Sequence, residues 1–181
     1  DERTAQLEKL LEEIRHLSAT DGLTGCYNRR ALQDKLPEEI ERAQRNHRPL
    51  AVVFMDIDHF KQFNDQHGHQ LGDEVLRSAA KHVASTLRQG VDWIARYGGE
   101  EFVLVLPETP LEAAIAIAHR LCDALPQHAV PNPRGGSVYI SASFGVTAYR
   151  PGEDALALLS RADTLVYQAK SAGRQQVVAG A

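Results

Sequence analysis

The chain has 181 residues, 43% hydrophobic and 24% charged, which is typical of a soluble globular protein. Its net charge of −4 excludes a general attraction to nucleic acid or to anionic lipid. The two cysteines, Cys26 and Cys122, have neither disulfide-framework nor zinc-site spacing, which favours buried thiols in a reducing compartment.

Residues 1–18 are predicted to form a stalk helix, separate from a main domain at 19–181. The seam positions of this helix are Leu7, Leu10, Ile14 and Leu17. Their spacings of 3, 4 and 3, with charged residues between, predict a coiled coil of about two heptads. The alternative is an amphipathic helix packed on its own domain, because two heptads alone are marginal as a free dimer.

From residue 19 onward, the patterns predict an α+β fold with a mostly antiparallel central sheet flanked by helices. The predicted helices cover about 29–46, 72–87, 111–125 and 154–172. The predicted strands cover 50–55, 92–95, 103–107 and 176–178, and a further long strand is predicted within 137–149. The continuous apolar run at 50–55 is typical of a strand buried on both faces. A loop is expected at 131–136, and Gly173 is expected to end the last helix.

A hairpin tip is predicted between the two strands at 92–95 and 103–107. There Gly98 and Gly99 are followed by Glu100 and Glu101, and Gly-Gly between strand-like runs is a hairpin signal. Glycine lets a backbone approach a ligand closely, and a carboxylate beside it can hold a hard cation. These features favour a phosphate-handling loop, with a solvated hairpin turn as the alternative.

Two aspartates, Asp56 and Asp58, follow the buried strand. In an extended chain their carboxylates point to one face and Ile57 points to the other. If the ends of the strands meet, Asp56 converges with Glu100 or Glu101. Carboxylates in such a cluster repel unless a divalent cation neutralises them, and oxygen-only ligands favour Mg²⁺ or Mn²⁺, which commonly bridges to substrate phosphates.

Asn64 and Asp73 are candidates for binding a nucleotide base. An ionised Asp only accepts hydrogen bonds, so it suits guanine, which offers N1–H and a 2-amino group, and rejects adenine, which has an acceptor at N1. The alternative for both residues is helix capping near Gly72.

Three cations, Lys61, Lys170 and Arg174, are candidate phosphate ligands. The alternative for the last two is structural, since basic side chains complement the dipole at a helix C-terminus. His67 and His69 lack a third partner, which argues against zinc. The sequence contains no P-loop and no nucleophile elbow, which argues against a P-loop enzyme and against a hydrolase with a side-chain nucleophile.

Taken together, the motifs resemble the GGDEF domain, the diguanylate cyclase family. The segment from Arg96 to Phe102 is the Gly-Gly-Glu-Glu-Phe form of its signature. The other matching segments are Asp21-Gly22-Leu23-Thr24-Gly25, Asn28-Arg29-Arg30, Asp56-Ile57-Asp58-His59-Phe60-Lys61, Asn64-Asp65, Gly68-His69, Gly72-Asp73, Ser143-Phe144-Gly145-Val146, and Ala162-Asp163 through Tyr167, Lys170, Gly173 and Arg174. The resemblance covers about residues 19–178.

The resemblance implies a fold similar to the catalytic core of adenylyl cyclases and the palm of polymerases. It also implies that two GTP are condensed into cyclic di-GMP with release of two pyrophosphates. The implied state is a homodimer joined by stalk helices and facing active sites, in which each 3′-hydroxyl attacks the α-phosphate of the other substrate. Such chemistry needs positioning and charge neutralisation more than covalent catalysis.

By the same resemblance, each active site holds two Mg²⁺ or Mn²⁺ ions on Asp56 and Glu100, with the Ile57 carbonyl assisting and Glu101 beside them. Glu100 also takes the proton of the 3′-hydroxyl. The implied catalytic residues are Asp56, Lys61 and Glu100, and the implied substrate-binding residues are Phe60, Asn64, Asp73, Gly98, Gly99, Lys170 and Arg174.

One departure concerns the product-inhibition site of the family, an Arg-x-x-Asp motif that precedes the signature. Asp92 is present, but Gln89 stands where the arginine is expected, and Gln cannot form its charged bidentate bond. Arg88 is one residue early and is expected to face elsewhere. Arg120 matches the secondary arginine of this site. We therefore predict weak or absent product inhibition.

Two alternatives to an active enzyme remain. One is a non-catalytic module that senses GTP or cyclic di-GMP, and the other is a competent domain that is silent as a monomer. The sequence starts without methionine and contains neither a signal peptide nor a run of roughly 18–20 apolar residues. We therefore expect a cytoplasmic fragment without membrane contact, from a parent protein that can itself be membrane-anchored.

Overall fold

The computed structural model describes residues 1–181, with side chains at 1–14 and 17–181. The helices are α1 (Glu2–Leu17), α2 (Arg29–Asn46), α3 (Phe60–His67), α4 (His69–Thr86), α5 (Leu111–Ala124) and α6 (Ala155–Ser171), with a 3₁₀ turn at Leu125–Gln127. The strands are β1 (Leu50–Ile57), β2 (Trp93–Arg96), β3 (Glu101–Pro107), β4 (Val130–Pro131), β5 (Ser137–Val138), β6 (Ala142–Ala148) and β7 (Val177–Gly180). Among the described helices, none is both long and apolar enough to cross a membrane.

A five-stranded sheet in the order β2-β3-β1-β6-β7 forms the centre of the domain. Its neighbours pair antiparallel except for β6 and β7, which run parallel. This confirms the predicted α+β fold and its mostly antiparallel sheet. All eight residues of β1 are buried, as the unbroken apolar run predicts for a central strand.

Helices cover both faces of this sheet. Alternate residues of β1 pack against α2 and α6 on one face and against α4 and α5 on the other. Gly145 in β6 lies under α6, where an added Cβ would come within 2.3 Å of the Ala162 carbonyl oxygen. This glycine therefore permits the close approach of α6, the helix that contains Lys170.

The strand predicted within 137–149 is β6, but the first residues of that segment do not belong to it. Residues 137–138 pair with β4 in a separate two-stranded ribbon, and pairing with β1 begins only at Ala142. Periodicity identifies extended residues but not their partner, so a change of partner within an extended segment leaves no signal. The other predicted elements are found with shifted ends, such as α4, which begins at His69 rather than at 72.

The seam of α1 is open in the single chain. Leu7, Leu10, Ile14 and Leu17 are between 54% and 84% exposed. The alternative that this helix packs on its own domain is therefore wrong, and pairing with a second copy stays a prediction.

Candidate active site

The hairpin tip between β2 and β3 is held by one arginine. Nε of Arg96 donates to the carbonyl oxygens of Gly98 and Gly99, both at 3.1 Å, and Nη2 donates to Gly99 at 2.8 Å. An added Cβ on Gly98 would lie 2.6 Å from Oε1 of Glu101. Arg96 therefore sets the path of the backbone, and the missing Cβ leaves room for a carboxylate.

Arg96 is itself held by Asp21 at the start of the domain. Its Nη1 lies 3.2 Å from both carboxylate oxygens of Asp21, and Oγ1 of Thr24 donates to the same carboxylate at 2.7 Å. Burial raises the pKa of Asp21, but hydrogen bonds from Thr24 and the charge of Arg96 outweigh this effect, so the pKa is lower than usual. The ionised Asp21 thus fixes the tip, a role that sequence reasoning did not assign to it.

Carboxylates converge where β1 meets this hairpin. Asp56 lies directly opposite Glu101 in the antiparallel register, and the Ile57 amide donates to the Glu100 carbonyl oxygen at 3.2 Å. The predicted convergence of Asp56 with Glu100 or Glu101 is therefore confirmed. Burial raises the pKa of Asp56 to about 6, aided by the charges of Glu100 and Glu101 and opposed by Lys170.

Lys170, near the end of α6, lies within this carboxylate group. Its Nζ donates to Oδ1 of Asp56 at 2.6 Å, and both side chains are mostly buried. Lys170 thus supplies positive charge where a hard cation was expected. A role limited to the helix dipole does not account for this direct ion pair.

The two candidate guanine ligands lie on neighbouring helices. Asn64 is in α3 and Asp73 in α4, whose N-caps are His59 and Gly68, so the capping alternative is wrong for both. Oδ1 of Asn64 is buried without a hydrogen-bond partner and occupies the space that a Cβ on Gly72 would need. Asp73 lines a surface cavity of about 440 Å³, and Asn64 is not among its lining residues.

The other candidate ligands border the same end of the sheet. Phe60 begins α3 and is buried, and Lys61 follows it with an exposed side chain. Arg174 is exposed in the loop after α6, where its φ is 65°.

A family model described as "Diguanylate cyclase, GGDEF domain" matches residues 18–176. The chain belongs to the GGDEF domain family. The diguanylate cyclase DgcP of Pseudomonas aeruginosa is 43% identical over 170 residues, 92% of this chain and 25% of that protein. The response regulator PleD of Caulobacter vibrioides is 41% identical over 177 residues, 97% of this chain and 39% of that protein.

Among solved structures, the coiled coil and GGDEF domain of DgcB from Caulobacter crescentus, in complex with c-di-GMP, has a TM-score of 0.86. Its sequence is 31% identical, and the match covers 99% of this chain and 96% of that chain. The GGDEF domain described here therefore spans well under half the length of the two curated relatives above but nearly all of this solved fragment.

The turn before β2 differs from its prediction in this GGDEF domain. Arg88 was expected to face elsewhere than the arginine of the family motif, but its Nε and Nη2 bind the two carboxylate oxygens of Asp92, the acid of that motif, at 3.0 and 2.7 Å. Strand alternation fails there because β2 begins only at Trp93. The Asp92 side chain is 2% exposed, Gln89 lies beside it, and no hydrogen bond joins Arg120 to Asp92 among the described side chains.

Two further charged residues act on the signature of this GGDEF domain. Burial and then the charges of Asp163 and Glu100 raise the pKa of Glu101. Arg29 opposes this effect, and it donates from Nη2 to the Tyr97 hydroxyl at 3.0 Å. Both residues lie in motifs that matched the family, which was the available signal, but sequence reasoning gave them no role.

Proposed function

We propose that this GGDEF domain is a diguanylate cyclase, which condenses two GTP into cyclic di-GMP and releases two pyrophosphates. The proposal rests on the convergence of Asp56, Glu100 and Glu101 beside a glycine tip. Burial is the main cause of the raised pKa of Asp56 and of Glu101, and neighbouring carboxylates add to it, so a bound cation would stabilise their ionised forms. The named activity of relatives such as DgcP supports the same chemistry.

The residues present fit a hard divalent cation. Asp56, Glu100 and the Ile57 carbonyl would hold two Mg²⁺ or Mn²⁺ ions, with Glu101 beside them, and these are oxygen ligands of the kind such cations prefer. Among the described side chains, no group of three His, Cys, Asp or Glu could hold an ion by itself. Further oxygens would come from substrate phosphates and water. When bound, the ions would lower the pKa of the 3′-hydroxyl and neutralise charge at the α-phosphate.

The protein residues have separate tasks in this proposal. Glu100 accepts the proton of the attacking 3′-hydroxyl. Lys61, Lys170 and Arg174 bind the β- and γ-phosphates, and Gly98 and Gly99 allow the backbone to approach GTP. Because Lys170 is bonded to Asp56 at 2.6 Å, it must release or share that carboxylate when phosphate enters.

Guanine specificity is assigned to the α3–α4 pair, with Phe60 as an apolar contact. The carboxylate of Asp73 accepts hydrogen bonds from N1–H and the 2-amino group. Oδ1 of Asn64 is buried without a partner beside Gly72, so the Asn64 amide must turn to reach the base. Adenine would place an acceptor against Asp73, so ATP should be a poor substrate.

The reaction is assigned to a homodimer in which each subunit holds one GTP. A single site positions one 3′-hydroxyl and one α-phosphate, while the product needs two reciprocal attacks. The open seam of α1 is a suitable pairing surface because its apolar side chains have no cover within the chain.

Product formation is the first test. The purified protein, with GTP and Mg²⁺, is expected to form cyclic di-GMP and pyrophosphate, measured by chromatography. Glu100→Gln should lower turnover by about 100-fold or more through loss of the base and of a metal ligand, with much of the GTP binding kept. Glu112→Gln, at an exposed position of α5, is the matched control and should retain full turnover.

If no cyclic di-GMP forms, even at high protein concentration or with a dimerising fusion, the cyclase proposal is wrong. Binding of GTP or cyclic di-GMP under those conditions would instead identify a sensing module. Unchanged turnover in Glu100→Gln would remove that residue from its assigned role.

A further inference from the structure

Asp58 is a buried carboxylate for which the proposed reaction has no direct use. It is 6% exposed and has three neutral hydrogen-bond donors. Oγ of Ser141 donates to Oδ2 at 2.6 Å, Oγ of Ser143 to Oδ1 at 2.7 Å, and the Gln175 amide to Oδ2 at 3.1 Å. Both oxygens are therefore engaged, which argues against Asp58 as a metal ligand although it follows Asp56 by two residues.

The loop that Asp58 holds has an unfavourable backbone conformation. Gly173, Arg174 and Gln175 have φ angles of 121°, 65° and 45° in succession. Positive φ is costly for residues with a Cβ and persists only where the surroundings enforce it. The bond from the Gln175 amide to Asp58 ties this loop to the end of β1.

We infer that Asp58 is a positioning residue, which holds the loop after α6 so that Arg174 is presented to the substrate phosphates. The inference rests on the phosphate role of Arg174 in the proposed function. Asp58 lies just beyond Asp56 in the chain and binds the residue just after Arg174, so one carboxylate sets the spacing between the metal-binding strand end and the phosphate-binding loop.

Asparagine at position 58 would weaken this arrangement with little change in volume. Its side chain is neutral, so the two serine hydroxyls and the Gln175 amide would lose their charged acceptor, and the amide nitrogen that replaces one oxygen can only donate. The loop would be held less tightly, and its strained backbone would relax away from the sheet. Arg174 would then bind phosphate less well, although its own side chain is unchanged.

The test compares binding of GTP and GDP by titration calorimetry, in a Glu100→Gln background so that GTP is not consumed. Asp58→Asn and Arg174→Ala are each expected to reduce the preference for GTP over GDP by about tenfold, the effect of one charge-assisted bond. In the double variant the preference should be no lower than in Arg174→Ala, because Asp58 acts through Arg174. Glu153→Gln is the structural control. Its carboxylate is hydrogen-bonded just before the N-terminus of α6, at the opposite end of the helix from Arg174, so the preference for GTP should be kept.

Three results would overturn the inference. The first is an unchanged preference for GTP in folded Asp58→Asn, while Arg174→Ala loses this preference. The second is a double variant in which the preference falls by the product of the two single effects. The third is an unchanged preference in Arg174→Ala, which would contradict the phosphate role of that residue. The product assay tests cyclase activity independently of this result.

Thermal unfolding checks that each variant is folded. If Asp58→Asn does not fold, Ser141→Ala replaces it, because it removes one donor and keeps the carboxylate. A loss of preference of about threefold, absent when Arg174 is already alanine, would support the inference. An unchanged preference in folded Ser141→Ala would contradict it.

Discussion

The carboxyl group of Asp56 is placed where its negative charge is unfavourable. Burial removes water from it, and Glu100 and Glu101 add negative charge nearby, so its pKa rises to about 6 despite the ion pair with Lys170. A residue that only stabilised the fold would be expected to be paired fully or replaced by an apolar one. The unfavourable charge at Asp56 therefore agrees with a role in binding a cation.

A pH dependence of stability follows from this raised pKa. Between the unfolded pKa of about 3.9 and the folded value of about 6, the folded state binds the extra proton, so the contribution of Asp56 to stability falls as pH rises through this window. Relative to Asp56→Asn, the wild type should lose about 2 kcal/mol of unfolding free energy from pH 4 to pH 6.

Denaturant unfolding of both proteins without metal, at several pH values, measures this difference. The other acids titrate in both proteins, so Asp56→Asn also serves as the reference for their common effect. A difference that is constant with pH, or that changes in the opposite direction, would show that the pKa of Asp56 is not raised.

At the scale of elements, the turn before β2 decides whether a product-inhibition site can form. Arg88 binds Asp92 with two nitrogens, and its Nη2 also donates to the Pro107 carbonyl oxygen at 2.7 Å and to Oγ1 of Thr109 at 2.9 Å. Asp92 is thus hydrogen-bonded to a residue of its own turn, and position 89 holds Gln instead of the arginine of the family motif. Two independent features therefore support weak inhibition.

Restoring inhibition should need two changes in this turn. Gln89→Arg alone leaves Asp92 bound to Arg88, so little inhibition by cyclic di-GMP is expected. Arg88→Gln combined with Gln89→Arg frees the carboxylate and supplies the guanidinium in the family's position. Initial rates with added cyclic di-GMP measure the effect, and Arg88→Gln alone is the control. Strong inhibition of the wild type would refute the prediction.

At the scale of the whole molecule, the proposed site is incomplete in one chain. In the proposed reaction, the glycine tip and carboxylates of one chain hold one GTP, and the α-phosphate to be attacked belongs to a second copy. The short α1 seam offers only marginal pairing energy by itself. Activity should therefore depend strongly on protein concentration, because two chains must meet to complete the site.

Removing residues 1–18 should lower specific activity without changing the fold of residues 19–181. Activity is expected to rise more steeply than linearly with protein concentration, and a fused parallel coiled coil should restore it. Light scattering measures the mass of each species beside the rate. A monomer whose rate is strictly proportional to its concentration would contradict the need for two chains.

Local sequence patterns determined much of the fold of this protein and the position of its acidic residues. The apolar run of β1, the glycines of the hairpin and the acids at the two strand ends are local signals, and they correctly predicted that Asp56 meets the signature glutamates. The presence of the predicted helices and the fold class also follow from periodicity, because side-chain direction repeats every 2 or 3.6 residues, whereas the ends of the helices shift by up to three residues.

The tertiary structure alone decided which partners the charged groups have. Lys170 reaches Asp56 across 114 residues of chain, and the Gln175 amide reaches Asp58 across 117. The bond between Arg88 and Asp92 is close in sequence but depends on a turn rather than a strand. Periodicity specifies the face of an element, whereas a hydrogen bond needs atoms within about 3 Å, and only the packed sheet and α6 bring them together.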